Sequence, residues 1–317
     1  MIVTHGLAVP SIPPAGHAVI IGNFDGVHKG HQAMIARAIA VGRELGVPAC
    51  ALTFEPHPRE LFTPDQAPTR LTSLREKMEL LERYGLARAH IERFTREFAA
   101  LSPQNFVDRV LVQTLGARWI LVGGDFRFGA RRAGDVAMLR ELGSQHGFEV
   151  EAMPNVIQGG ERVSSSSVRA ALAAGDLGRA AELLGRHYSI SGSVVHGDKL
   201  GRNLGFATAN VSLQHNRPPL SGIFAVRLHG AGTQPLDGVA SLGVRPTVKA
   251  AGAEAVLEVH VFDFAGELYG EHVRVEFLSK IRDEEKYPDL DILKAQIARD
   301  CETARQVLRE FRQDQKI

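Results

Sequence analysis

The apolar run Ala18-Val19-Ile20-Ile21 is closed by Gly22, and a run of that length ended by glycine reads as a buried strand. From His31 the period changes. Met34, Ile35, Ala38, Ile39 and Leu45 recur at spacings of three, four and seven, and Gly46 supplies a stop, so a helix follows the strand. The same alternation continues. Pro48 to Phe54 is a second apolar run, a helix is expected from about Leu74 to Tyr84 with Gly85 behind it, and Ala89 to Phe94 reads as a short strand. Ser102 and Pro103 open another helix that Gly116 ends. Trp119 to Val122 reads as a buried strand, Asp135 to Gln145 as a helix, and Phe148 to Met153 as a strand. Strands alternating with helices predict an α/β unit built on a parallel sheet with helices on both faces.

A serine-rich stretch, Val163 to Arg169, opens an alanine-rich helix, and a short helix follows Asp176 and ends near Gly185. The character then changes. Ile223 to Leu228, Ala255 to Phe264 and His272 to Leu278 are strand-like, with glycine-rich turns between them. In the second of these both faces are largely apolar, so the strand reads as mainly buried, and Glu258 is the exception on it. Leu290, Leu293, Ile297, Cys301, Ala304, Leu308 and Phe311 advance by three or four and mark a terminal amphipathic helix. This half is expected to be a small antiparallel β-barrel closed by a helix. The boundary falls around Gly185 to Tyr188, giving domains of 1–186 and 187–317.

Composition narrows the field. With 317 residues there is room for two domains, and 44% hydrophobic and 23% charged residues are ordinary for a globular chain. A net charge of +1 leaves no electrostatic footprint for nucleic acid or an anionic membrane. Two cysteines make no disulfide framework and fit a reducing cytoplasm. No basic segment with a long apolar stretch marks a signal peptide, and no run approaches membrane-spanning length.

The turn between the first strand and helix reads Gly22-Asn23-Phe24-Asp25-Gly26-Val27-His28-Lys29-Gly30-His31. Amides at a helix N-terminus lack intrahelical partners and the helix dipole favours anions there. His28 and His31, three apart, project from one side of the first turn. Together they suit a phosphate. Zinc is the alternative for such a pair, but Cys50 and Cys301 stand far from it and from each other. The turn lacks G-x-G-x-x-G and the chain has no G-x-x-x-x-G-K-[ST], which removes support for dinucleotide-binding and P-loop enzymes. Phe54-Glu55-Pro56-His57-Pro58 and Gly123 to Gly129, with Asp125, also follow expected strands, at the edge where open α/β sheets bind ligands. Phe54 and Phe128 suit core packing and ligand stacking equally. The serines at 164–167 cap a helix or, with the Arg169 fork, meet phosphate. On its strand Glu258 is either paired with a basic neighbour or functional.

On these residues the chain resembles the bacterial bifunctional riboflavin kinase/FAD synthetase family over almost its full length. The first half is similar to the nucleotidyltransferase fold, a Rossmann-like sheet carrying an H-x-G-H signature, here His28-Lys29-Gly30-His31. Phe54 to Pro58, Gly124 to Gly129 and the serines through Arg169 match further blocks in the same order. The second half resembles the flavokinase module in Gly192 to Gly197, Gly201 to Asn210 and Gly238 to Thr247. Two departures stand out: Ala207 replaces a usual proline and Ser241 a common asparagine.

The resemblance implies two ATP-dependent reactions, phosphorylation of riboflavin to FMN by the second half and adenylylation of FMN to FAD by the first. Gly22, Asn23, Phe24, Asp125, Ser164, Ser165 and Arg169 would join His28 and His31 around ATP and its phosphates. Gly197, Thr208 and Asn210 would serve the kinase nucleotide, with Thr208 and Asn210 on Mg²⁺. Glu258 would be the catalytic base, and Phe54, Phe128, Arg282 and Glu285 would contact flavin. The expected partners are ATP, riboflavin and FMN, with no nucleic acid or membrane, in a cytoplasmic monomer or weak homo-oligomer. An adenylyltransferase with a regulatory barrel is disfavoured by the second phosphate-type block. A non-enzymatic flavin carrier or RNA-binding protein is disfavoured by the near-zero charge and the paired motifs.

Overall fold

The computed structural model describes residues 1–6, 16–196, 205–213, 217–245 and 254–314. The chain divides into two units, Met1–Pro68 with Leu74–Ser164, and Thr69–Ser73 with Ser165–Ile317.

The first unit is built on six parallel strands: β1 (Ile2–His5), β2 (His17–Ile21), β3 (Ala49–Glu55), β4 (Arg88–Arg93), β5 (Ala117–Gly123) and β6 (Glu149–Met153). Their spatial order is β1-β4-β3-β2-β5-β6. All five residues of β2 are buried, as a central parallel strand covered on both faces requires. The helices are α1 (Lys29–Leu45), α2 (Pro58–Phe62), α3 (Leu74–Arg83), α4 (Arg96–Ala99), α5 (Pro103–Phe106) and α6 (Val136–His146). Met34, Ile35 and Ala38 of α1 and Leu81 of α3 pack on one face of the sheet with Ala18 and Ile20. Phe106, Leu111 and Leu139 cover the other with Val19 and Ile21. A small hairpin, β7 (Ile157–Gln158) and β8 (Glu161–Arg162), completes this unit.

Chain order runs outward from β2 through β3 to β4, then crosses back to β5 beside β2. The order therefore reverses between β2 and β5, and the turns leaving their carboxyl ends flank the crevice where such sheets take ligands. Two details depart from the sequence pattern. The helix opened by Ser102 is α-helical only through Phe106 and continues as a π-helical stretch, Val107–Thr114. Val107, Val110, Leu111 and Thr114 are all buried there, and branched side chains crowd an α-helical turn. Strand β1 was not expected, because its exposed edge position leaves a four-residue segment without apolar alternation.

The second unit begins with α7 (Ser165–Ala173) and α8 (Leu177–Leu184). Six antiparallel strands follow: β9 (Ser189–Val195), β10 (Ala209–Val211), β11 (Gly222–His229), β12 (Leu236–Arg245), β13 (Glu254–Val261) and β14 (His272–Arg282). They close into a barrel in the order β10-β13-β12-β11-β14-β9. Phe224 and Phe277 meet edge to face inside, 5.2 Å apart. The terminal helix α9 (Leu290–Asp314) lays Cys301, Ala304 and Leu308 on Ala225, Val239, Phe262 and Leu278. Closure removes the exposed edges that six strands would otherwise present.

Strand β13 corrects the expectation of a strand buried on both faces. Leu257, Val259 and Val261 are buried, whereas Val256, Glu258 and His260 are only half-buried. The alternation is that of a barrel wall with one wet side, so Glu258 points outward.

Candidate active site

The turn after β2 is held in an uncommon backbone. Phe24, Gly26 and Val27 have φ of +49°, +79° and +40°. Positive φ at a β-branched valine is a genuine outlier, of the sort that concentrates at functional sites. The turn delivers His28 as the N-cap of α1, where its Nδ1 accepts the His31 backbone N–H at 3.3 Å. Nε2 of His28 therefore carries the proton. The His31 ring stacks on that of His28, with centroids 3.7 Å apart. A Cβ on Gly30 would meet the His28 ring at 3.1 Å, so glycine keeps this approach open.

Nδ1 of His31 is buried without a hydrogen-bond partner among the described residues. Burial, then the neighbouring His28 and Lys77, hold this imidazole well below its ordinary value of 6.5. It is neutral at pH 7, and its unpartnered nitrogen is available to a ligand. The adjoining groups are fixed from below. The side-chain amide of Asn23 meets Nε2 of His57 at 3.3 Å, Thr53 Oγ1 donates to the Asn23 carbonyl at 3.3 Å, and the buried Lys77 donates to Thr53 Oγ1 at 3.5 Å. The sequence pattern gave no role to His57 or Lys77. Lysine is almost never fully buried unless paired, but that signal becomes visible only in the fold.

The other expected residues of this unit divide into two groups. Gly22 is half-buried directly after β2, and Asp125 is exposed on the turn after β5 and paired with Arg162 at 3.0 Å. Phe24 is fully buried and Phe128 is 5% exposed, so both rings belong to the interior, Phe128 against Phe106 and Phe126. Phe54 is half-buried and contacts Phe94 and Phe98, each at 5.9 Å. Phe94 in turn meets Phe62, which is 60% exposed. An aromatic surface thus stands at the carboxyl end of β3 and β4, and Phe62, Phe94 and Phe98 join it unannounced by any motif. Ser164 is half-buried beside the buried Val163. In the second unit, Ser165 opens α7, and Arg169 donates from Nε to the Thr69 carbonyl at 2.6 Å.

In the barrel, register assembles the site. Asn210 lies opposite Glu258, and Glu258 lies opposite Ser241. Directly opposed residues share a face with Cβ atoms about 5 Å apart. Three adjacent strands therefore carry Asn210, Glu258 and Ser241 side by side on the outer wall. Thr208 and Ala207 precede β10 and line a cleft with Phe264, Glu267 and Tyr269. Ser241 donates to Glu284 Oε1 at 3.4 Å, which brings the segment after β14 to the same face. Arg282 donates to the buried Asp300 from Nε at 2.9 Å and Nη2 at 2.6 Å. Its plane also lies over the Tyr287 ring, and Tyr287 donates to Glu285 at 2.8 Å. Gly197, Gly201 to Leu204, Pro246 and Thr247 lie outside the described residues.

Oxygen donors of this type suit a hard divalent cation. Among the described residues no group of three or more histidines, cysteines, aspartates or glutamates could hold a metal.

The comparisons follow this division. Residues 12–167 match the FAD synthetase family model and residues 184–308 the riboflavin kinase family model. The chain is 48% identical over 294 residues to the bifunctional riboflavin kinase/FMN adenylyltransferase of Escherichia coli strain K12, covering 93% of each. The protein of that name from Pseudomonas fluorescens is 47% identical over 92% of each chain. That of Haemophilus influenzae is 42% identical over 92% of this chain and 94% of the relative. A crystal structure described as a macrolide-efflux protein from Streptococcus pneumoniae matches with a TM-score of 0.81 at 30% identity, over 96% of this chain and 99% of that one. Among the described residues here, no helix is long and apolar enough to cross a membrane. By both matched regions and by near full-length identity, the chain belongs to the bifunctional riboflavin kinase/FMN adenylyltransferase family.

Proposed function

We propose that the chain makes FMN from riboflavin and then FAD from FMN, using ATP twice at two separate sites. The observation that carries this reading is that each unit gathers its own set of polar groups of a kind that suits phosphate. One has stacked histidines at a strained helix entry, the other an asparagine and a carboxylate side by side on a barrel wall.

In the kinase reaction Glu258 takes the proton of the riboflavin 5′-hydroxyl as its oxygen bonds to the γ-phosphorus, and ADP leaves. Thr208 and Asn210, with Gly197, hold the nucleotide phosphates. Thr208 and Asn210 would also hold Mg²⁺, which when bound neutralises charge on the transferring phosphoryl group. Arg282 and Glu285 border the flavin. In the adenylyl reaction the FMN phosphate is already ionised. Its oxygen attacks the α-phosphorus of ATP, the α–β bond breaks, and pyrophosphate leaves without a protein base. Catalysis here is alignment and charge stabilisation by His28, His31 and the α1 amides, with Gly22, Asn23, Phe24, Asp125 and Ser164 around the nucleotide. Phe24 contributes through its backbone, since its ring is internal. Phe54 offers flavin a ring face, and Phe128 sets the aromatic layer behind it.

The division of labour is 1–186 for adenylylation and 187–317 for phosphorylation. The enzyme works in the cytoplasm as a monomer or weak homo-oligomer on small molecules, without nucleic acid or membrane partners. Glu258→Gln in the full chain tests the assignment. It should lower FMN formation by about 10²- to 10⁴-fold while FAD formation from supplied FMN is unchanged. Wild-type FMN formation in that variant would remove the base from the mechanism.

A further inference from the structure

Strand β13 carries more than Glu258. Two residues on, and on the same outer face, stands His260. Its Nδ1 meets the carbonyl oxygen of Ala207 at 2.8 Å. A carbonyl only accepts, so Nδ1 carries a proton and donates. Ala207 is exposed and directly precedes Thr208 in the segment that leads into β10. The imidazole is held in place. Phe206 meets it edge-on at 5.6 Å and Phe262 at 5.7 Å. Phe262 is buried under the terminal helix, where the Arg305 guanidinium lies 4.2 Å over its ring. Arg305 is itself paired with Asp263 at 2.8 and 3.0 Å.

We propose that His260 is a positioning residue of the kinase site, fixing the Ala207–Thr208 segment so that Thr208 and Asn210 meet the nucleotide phosphates in register with Glu258. The inference rests on the assignment of Thr208 and Asn210 to MgATP. Its physical content is that one rigid strand sets two things at once. Glu258 is placed by the β13 backbone, and the nucleotide segment is tied to that backbone two residues further on. Without the tie, the exposed Ala207 segment must be ordered by the nucleotide itself, and that ordering is subtracted from binding. The hydroxyl chemistry at Glu258 does not depend on the tie, so affinity falls before turnover does.

The test compares His260→Ala, His260→Asn and Thr208→Ala in the full chain. An asparagine amide reproduces the Nδ1 donor. His260→Ala should raise the KM for MgATP in FMN formation, and the Kd for MgADP measured by calorimetry on protein with its adenylyl site blocked by His28→Ala/His31→Ala, by about three- to tenfold. Its kcat, its KM for riboflavin and its FAD formation from FMN should stay within about twofold of wild type. His260→Asn should recover most of the loss. If Thr208→Ala raises the MgATP KM while His260→Ala does not, the positioning role is overturned and the nucleotide assignment stands. If Thr208→Ala leaves the MgATP KM unchanged, the nucleotide assignment fails and takes the role of His260 with it. Equal losses in His260→Ala and His260→Asn, or a fall in kcat with thermal stability, would make His260 a packing residue and overturn the proposal.

Discussion

Replacing His31 with alanine separates a residue that holds the fold from one that holds a ligand. In the free protein His31 stacks on His28 at 3.7 Å and meets Phe24 edge-on at 5.1 Å. Each such contact contributes about 0.5–1.5 kcal/mol. Its Nδ1 is buried with no partner among the described residues, which costs about 1–3 kcal/mol. Alanine removes both effects, and they nearly cancel. The unfolding midpoint of the first unit should therefore move by no more than about 4 °C. The transition state of adenylyl transfer loses one preorganised phosphate contact, about 3 kcal/mol, or a hundredfold or more in rate. The assay follows FAD formation from FMN and MgATP, and FMN formation from riboflavin in the same preparation. The first should fall by about 10²- to 10³-fold and the second should not change. Retention of FAD formation within about threefold would refute the reasoning. So would a joint loss of both activities with a midpoint drop of about 10 °C or more, which would make His31 structural.

Other outcomes follow from the same geometry. Burial holds His17 and His31 below the ordinary 6.5, so the unfolded chain binds protons first on acidification. Stability is full above about pH 6.5 and declines as the pH falls below it, visible as a falling midpoint of the first unit and a shallower fall in His31→Ala; a midpoint flat from pH 7.5 to 5.5 contradicts this. An anionic triphosphate favours protonated His31, so ATP binding to this unit should take up protons, measured as a buffer-dependent calorimetric enthalpy; no such dependence rejects contact with His31. Asp300→Ala leaves the partly exposed Arg282 guanidinium without its carboxylate partner and should cost the barrel about 1.5–3 kcal/mol by denaturant unfolding. A loss under about 1 kcal/mol would show that the pair does not pin α9 to β14. Phe62→Ala removes the exposed edge of the aromatic surface and should raise the KM for FMN by about two- to tenfold, leaving the KM for ATP alone.

The sheet was legible in the sequence because buried parallel strands such as β2, with Ala18 to Ile21, carry unbroken apolar runs, and glycines such as Gly46 mark the helix ends. Strand β12 was not, because Gly238, Ser241 and Gly243 interrupt its apolar pattern, and one face of a barrel wall is free to be polar. Strand β9 is hidden in the same way by Ser189, Ser191 and Ser193. For the site, spacing alone brought His28 and His31 together, since both fall within one helical turn. Nothing local could join Asn210 to Glu258, 48 residues apart, because their meeting is a matter of strand register. Lys77 and His260 were invisible for a related reason, and His57 was named only as part of the Phe54–Pro58 block: each acts through a neighbour that only the tertiary fold supplies. The buried rings of Phe24 and Phe128 show the reverse case, residues inside a motif whose side chains serve the core.

In the proposed mechanism two sites cut ATP at different bonds. Full-length enzyme supplied with riboflavin and either α- or γ-labelled ATP tests it directly, in the wild type, in Glu258→Gln and in His28→Ala/His31→Ala. The wild type should place γ-label in FMN and in FAD, and α-label in FAD alone. The double histidine variant should accumulate γ-labelled FMN and transfer no α-label, whereas Glu258→Gln should incorporate α-label only when FMN is supplied. Loss of γ-label from FMN in the double histidine variant, failure of supplied FMN to restore α-label in Glu258→Gln, or α-label transferred at the wild-type rate without the two histidines, would contradict this two-site reading.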